Sequence, residues 1–132
     1  MLGELEGKEE ILICDMEAGV GTVLRMEKGD ADVVLVVADP SAKSIEVARR
    51  SAAIAAERAR VIVVANRVRD EADLEAMSAA LGGHELVAVP EDAAIAHAER
   101  EGLAPIDVDP DAPAVRVLRA LGERLAAQAA PA

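Results

Sequence analysis

The strongest constraint on the fold is a set of apolar runs that do not alternate with polar residues. Val33-Val-Leu-Val-Val-Ala-Asp39 and Val61-Ile-Val-Val-Ala-Asn66 are continuous and rich in β-branched side chains. Ile11-Leu-Ile-Cys-Asp15 reads the same way, and Glu85-Leu-Val-Ala-Val-Pro90 is a weaker fourth. A strand with one wet face alternates apolar and polar positions, whereas a parallel strand covered on both faces need not. Parallel strands also need long crossovers, and the segments between these runs carry helical spacing. Ser44 can cap a helix to about Arg58, with Ile45, Ala48, Ala52 and Ala55 on one face. Asp70 or Asp73 can start another, with Leu74, Met77 and Leu81 inward and Gly82-Gly83 as the stop. A third spans Asp92 to Glu101 and stops at Gly102. The last is capped by Asp111, holds Pro113 in its first turn, and turns Val115, Leu118, Leu121 and Leu125 inward. Such alternation predicts an α/β fold: an open, mostly parallel sheet with helices on both faces and right-handed crossovers. Residues 1–132 read as a single domain, with an Ala-rich end, 126–132, expected to fray.

Composition narrows the function classes. A chain of 132 residues can bury a sizeable core without disulfides or metal. The one cysteine, Cys14, excludes a disulfide framework and sits in an apolar run, so it reads as a small core residue. No apolar run approaches the ~20 residues of a membrane span, and the N-terminus carries no signal-peptide pattern, so the expected location is the cytoplasm. Against 14 Lys and Arg stand 25 Asp and Glu, a net charge of −11 that repels phosphate backbones. Lys43, Arg49, Arg50, Arg58 and Arg60 read as a solvated helix face. The chain has no Phe, Tyr or Trp, which removes base stacking on rings and aromatic cages. No nucleic-acid partner is expected. His84 and His97 have no partner ligands at metal spacing and read as surface residues.

In open α/β sheets ligands bind at the carboxyl ends of the strands. The residues at those ends are Asp15 to Gly21, Asp39 to Ser44, Asn66 to Arg69, and Pro90 to Asp92.

Asp15-Met-Glu-Ala-Gly19 places an Asp at a strand end with a Gly four residues on. This resembles the Walker B and switch II segment of the MinD/ParA/nitrogenase-iron-protein group of P-loop ATPases. It is most similar to the CooC-type ATPases that mature nickel carbon monoxide dehydrogenase. Val36-Val-Ala-Asp-Pro-Ser-Ala-Lys-Ser44, Val63-Val-Ala-Asn-Arg-Val68 and Val89-Pro-Glu-Asp92, the last followed by Gly102-Leu-Ala-Pro105, resemble later segments of that group, in its order. The resemblance implies ATP and Mg²⁺ as cofactors. It implies that Asp15 holds Mg²⁺ through water and that Gly19 offers an amide near the γ-phosphate. It further implies that Asn66, Arg67, Pro90, Glu91 and Asp92 form the nucleotide-base pocket. Glu17 belongs to the same switch segment, and otherwise reads as a solvated carboxylate.

The departures are as informative. The chain holds no Gly-x-x-x-x-Gly-Lys-[Ser/Thr], the loop whose amides and Lys wrap the phosphates. Arg67 replaces the usual Lys after the Asn, Gly21-Thr22 stands where Glu-His is usual, and the metal-binding Cys-x-Cys is absent. The expectation is a truncated or degenerate member that does not hydrolyse ATP alone and acts by weak nucleotide or partner binding. The implied partners are a second copy, a full-length ATPase relative or a metalloenzyme client. One alternative is a fragment of an intact metallocentre-maturation or partitioning ATPase. Another is a Rossmann-like cofactor domain built on Gly19-Val-Gly21, although Leu24 stands where that fingerprint has its third Gly. A phosphoacceptor receiver fits less well, because no Lys follows Lys43. In the P-loop group the phosphate-loop strand lies between the strands that end here at Asp15 and Asp39. Its loss implies direct pairing of those two strands or an open slot between them, with self-association through any exposed apolar edge. Detachment of the first strand and insertion of a foreign strand are the other outcomes.

Overall fold

The computed structural model describes residues 10–16 and 19–129. β1 (Val33–Ala38), β2 (Arg60–Val68) and β3 (Glu85–Pro90) form an all-parallel sheet in the order β1-β2-β3. α1 (Val20–Arg25) precedes β1, α2 (Ala42–Ala55) and α3 (Glu71–Leu81) make the crossovers, and α4 (Ala93–Glu101), α5 (Pro105–Val108) and α6 (Pro113–Ala129) follow β3. The α/β sheet with helices on both faces is thus the architecture observed.

Two apolar clusters hold the layers together. On one face Ala48, Ala52 and Ala55 of α2 and Met77 and Leu81 of α3 pack on Val36, Ala38, Val63 and Ala65. The alanines have no bulk beyond Cβ, so α2 lies close to the sheet. On the other face Ala114, Val117, Leu121 and Leu125 of α6 cover Ile62, Val64, Val87 and Val89. This inward stripe is rotated from the expected one. Val115 is buried, but Leu118 is 43% exposed, and Val117 takes its place over the sheet. α6 runs to Ala129, taking in part of the stretch expected to fray; residues 130–132 lie outside the described residues.

Most helix ends lie where the capping residues put them. The Asp70 carboxylate accepts the Asp73 N–H at 2.9 Å at the start of α3, which stops at Gly82. Gly102 ends α4 at φ 67, a left-handed conformation that costs glycine little. The cap of α2 is Ser41 rather than Ser44: the Ser41 hydroxyl oxygen accepts the Ser44 N–H at 3.2 Å. Ser44 instead ties β1 to the helix, its Oγ accepting the Asp39 N–H at 3.0 Å.

One expected strand is absent. Residues 10–16 are irregular, and Ile11, Leu12 and Ile13 are 61%, 55% and 88% exposed. Cys14 is exposed as well, not a core residue. An apolar run becomes a strand only when a neighbour pairs with it, and neither described edge of the sheet does so. Direct pairing of this run with β1 is therefore not the outcome among the described residues. The expectation that β1 is covered on both faces also fails: α6 packs over β2 and β3, and Leu35 and Val37 are left 43% and 60% exposed.

Candidate functional site

Three of the four strand ends converge. Asp39, Pro40 and Ser41 after β1, Arg67 and Arg69 from the end of β2, and Glu91 after β3 line one open cleft of about 280 Å³. The parallel sheet brings them together, because all three strands finish at one edge.

The middle wall is shaped by an irregularity. Pairing between β2 and β3 steps from Ala65–Ala88 to Val68–Pro90, so Asn66 and Arg67 stand opposite Val89 alone. Bulges of this kind re-aim side chains and cluster beside functional sites. Arg67 sits at φ 60, among the described residues the one non-glycine at positive φ. That conformation costs an L-residue roughly 1–2 kcal/mol. The sheet closes again beyond the bulge, where the Glu91 N–H donates to the Val68 carbonyl at 2.9 Å.

The two arginines differ in freedom. Arg69 is committed: its Nε and Nη2 donate to the two Asp73 carboxylate oxygens at 2.8 and 3.0 Å. Those hydrogen bonds and the paired charges raise the Arg69 pKa and hold the Asp73 carboxyl below its usual value. Arg67 enters no ion pair among the described residues, so its guanidinium is the uncommitted cation of the cleft. Across from it, Asp39 Oδ1 accepts the Ser41 N–H at 3.1 Å. That amide, then the Ser41 hydroxyl, and with them the charge of Arg67, keep the Asp39 carboxyl below its ordinary value. The lining thus offers two carboxylates, a free guanidinium and a hydroxyl, with no His, Cys or Lys among its residues. These groups can donate to and accept from a polar ligand.

The residues singled out from sequence divide accordingly. Arg67 and Glu91 line the cleft; Asn66 and Pro90 are half-buried in the strands behind it. Asp92 stands at the same edge, but both its oxygens are in use. Oδ1 accepts the Ala94 N–H at 3.0 Å, capping α4, and Oδ2 accepts the Ala114 N–H at 3.0 Å in the first turn of α6. Asp15 is exposed on irregular chain and does not line the cleft. Gly19, at φ 110, is the N-cap of α1, and Gly21 lies inside that helix; the described residues before them, 10–16, are irregular rather than the strand a Rossmann fingerprint has there. Glu17 lies outside the described residues. Among the described residues no group of three or more His, Cys, Asp or Glu is placed to hold a metal ion, and Asp15 has no strand-end setting beside a phosphate site. Asp15 thus lacks the strand end from which the resemblance has it hold Mg²⁺ through water. Asp39, Pro40, Ser41 and Arg69 belong to the strand-end segments expected to meet a ligand, and position at a strand end is their sequence signal; the resemblance assigns them no role in the base pocket.

A scan against protein-family models and a search of curated proteins find no match to this chain. Among the described residues no helix is long and apolar enough to cross a membrane.

The double use of Asp92 has a measurable consequence. Its pKa is lowered, chiefly by the Ala114 amide and then by that of Ala94. A carboxyl with a depressed folded pKa stabilises the fold above its unfolded value, near 4, and that contribution is lost as pH falls through the folded value. Asp92→Ala removes two helix caps at once and should lower Tm by about 5–10 °C at pH 7. Asp92→Asn keeps one acceptor oxygen and should lose about half as much. Both variants should lose less stability than the parent between pH 5 and pH 2. A Tm within 1 °C of the parent for Asp92→Ala would show that the clasp is not formed.

Proposed function

We propose that these residues form the base-binding part of a MinD/ParA/CooC-type nucleotide-binding fold, which takes up a nucleoside weakly and does not hydrolyse ATP by itself. The observation that carries this reading is the bulge at Asn66-Arg67. It puts Arg67, which is in no ion pair among the described residues, in one cleft with Asp39 and Glu91, at the strand edge where such folds bind their ligands. A cleft of about 280 Å³ lies near the lower bound of ligand sites and suits a base with part of a sugar better than a whole nucleotide. Donors and acceptors from Arg67, Ser41, Asp39 and Glu91 are the polar groups a base edge needs, and Pro40 offers an apolar surface. Phosphoryl transfer needs a phosphate cradle and charge stabilisation, and the sequence holds no glycine-rich phosphate loop.

The purified chain should show ATP turnover no faster than the buffer background, unchanged in Asp15→Asn. A divalent-cation-dependent rate abolished by Asp15→Asn would overturn the proposal.

A further inference from the structure

β1 ends the sheet, and among the described residues nothing pairs with its outer edge. Monomeric proteins guard such edges with Pro, Lys, a bulge or a covering segment. β1 has no proline and no charge within Val33–Ala38, and it pairs with β2 without a register shift. Its face is open as well. Leu35 and Val37 are 43% and 60% exposed, while their paired neighbours Ile62 and Val64, under α6, are 0% and 4% exposed. Among the described residues, a row of backbone donors and acceptors without a strand partner and an apolar step therefore coincide on one strand.

We infer that this edge receives an extended apolar segment of about six residues, flanked by Lys or Arg, from another polypeptide. Strand addition takes affinity from main-chain hydrogen bonds and specificity from alternate side chains. One face of the incoming segment would extend the layer of Leu35 and Val37. The basic flanks follow from charge. Asp32 and Asp39 close β1 at its two ends, and the chain as a whole carries −11. The same charges disfavour a second copy. Antiparallel pairing of two β1 strands sets Asp32 of one against Asp39 of the other. The spare run Ile11-Leu-Ile-Cys14 is itself bounded by Glu10 and Asp15. Like charges placed opposite each other destabilise a pair of strands. This inference does not depend on the nucleoside reading of the cleft.

The test uses the whole chain and two synthetic peptides with one six-residue Val/Ile/Thr core, one with two Lys at each end, the other with two Glu. Amide hydrogen exchange of residues 33–38 is followed by NMR. The Lys-flanked peptide should slow the outward-facing amides of β1 at least tenfold, and the Glu-flanked peptide at equal concentration should not. Leu35→Lys, checked for unchanged unfolding, should abolish the effect. Equal protection by both peptides, protection by neither, or peptide-free protection that grows with protein concentration would each overturn the inference, the last by assigning the edge to a second copy.

Discussion

Truncating Ile62 to alanine should cost about 2–5 kcal/mol of unfolding free energy, a large part of the ~5–15 kcal/mol that holds a typical domain. Ile62 is fully buried beneath α6 with Val64, Val89 and Leu121. The control is its neighbour in the same layer: Leu35 pairs with Ile62 across the sheet but is 43% exposed. Leu35→Ala should therefore cost under about 1 kcal/mol. Urea unfolding measures both, as a fall in midpoint with the slope unchanged. Equal losses at the two positions would mean that α6 does not divide covered from open sheet as described.

Arg67→Gly should separate stability from binding. The side chain holds a backbone at φ 60 that glycine adopts freely. Relief of roughly 1–2 kcal/mol is partly offset by the ~0.5–1 kcal/mol entropy cost of glycine in a strand. The variant should be as stable as the parent or up to about 1 kcal/mol more so. Adenosine affinity should fall at least tenfold, because a hydrogen bond to a charged group is worth ~1.5–3 kcal/mol. Arg67→Ala should lose the same affinity without the gain in stability. A lower Tm for the glycine variant would refute the strain, and binding retained by both variants would remove Arg67 from the site.

Much of this architecture is written locally. The β-branched runs at 33–38, 61–66 and 85–90 became the three strands, and Asp70, Asp92 and Gly102 mark helix ends by the backbone groups they satisfy. What was not legible depends on partners distant in the chain. Ile11 to Ile13 has strand chemistry but no neighbour, so the run stays exposed. Leu35 and Val37 belong to an unbroken apolar run, yet α6 reaches only the β2 and β3 side of that face. Ser41 and Ser44 are equivalent as caps by residue type, and the Asp39 N–H decides between them by occupying Ser44. The cap of α4 by Asp92 is readable; its second bond, to Ala114, exists only once α6 has docked. At the site, Arg67 and Glu91 could be placed at strand ends, but nothing in Asn-Arg-Val announces the bulge that turns Arg67 into the cleft wall.

The most direct measurement is a pair of NMR titrations of the ¹⁵N-labelled chain, one with adenosine and one with ATP and Mg²⁺. The same response to both is expected. Amide shifts should be confined to residues 39–41, 66–69 and 91, saturating in the millimolar range (about −4 kcal/mol), with no gain from the phosphates. Binding of ATP many-fold tighter than adenosine, shifts centred on Asp15 and Gly19, or no shift at the cleft at all would contradict it.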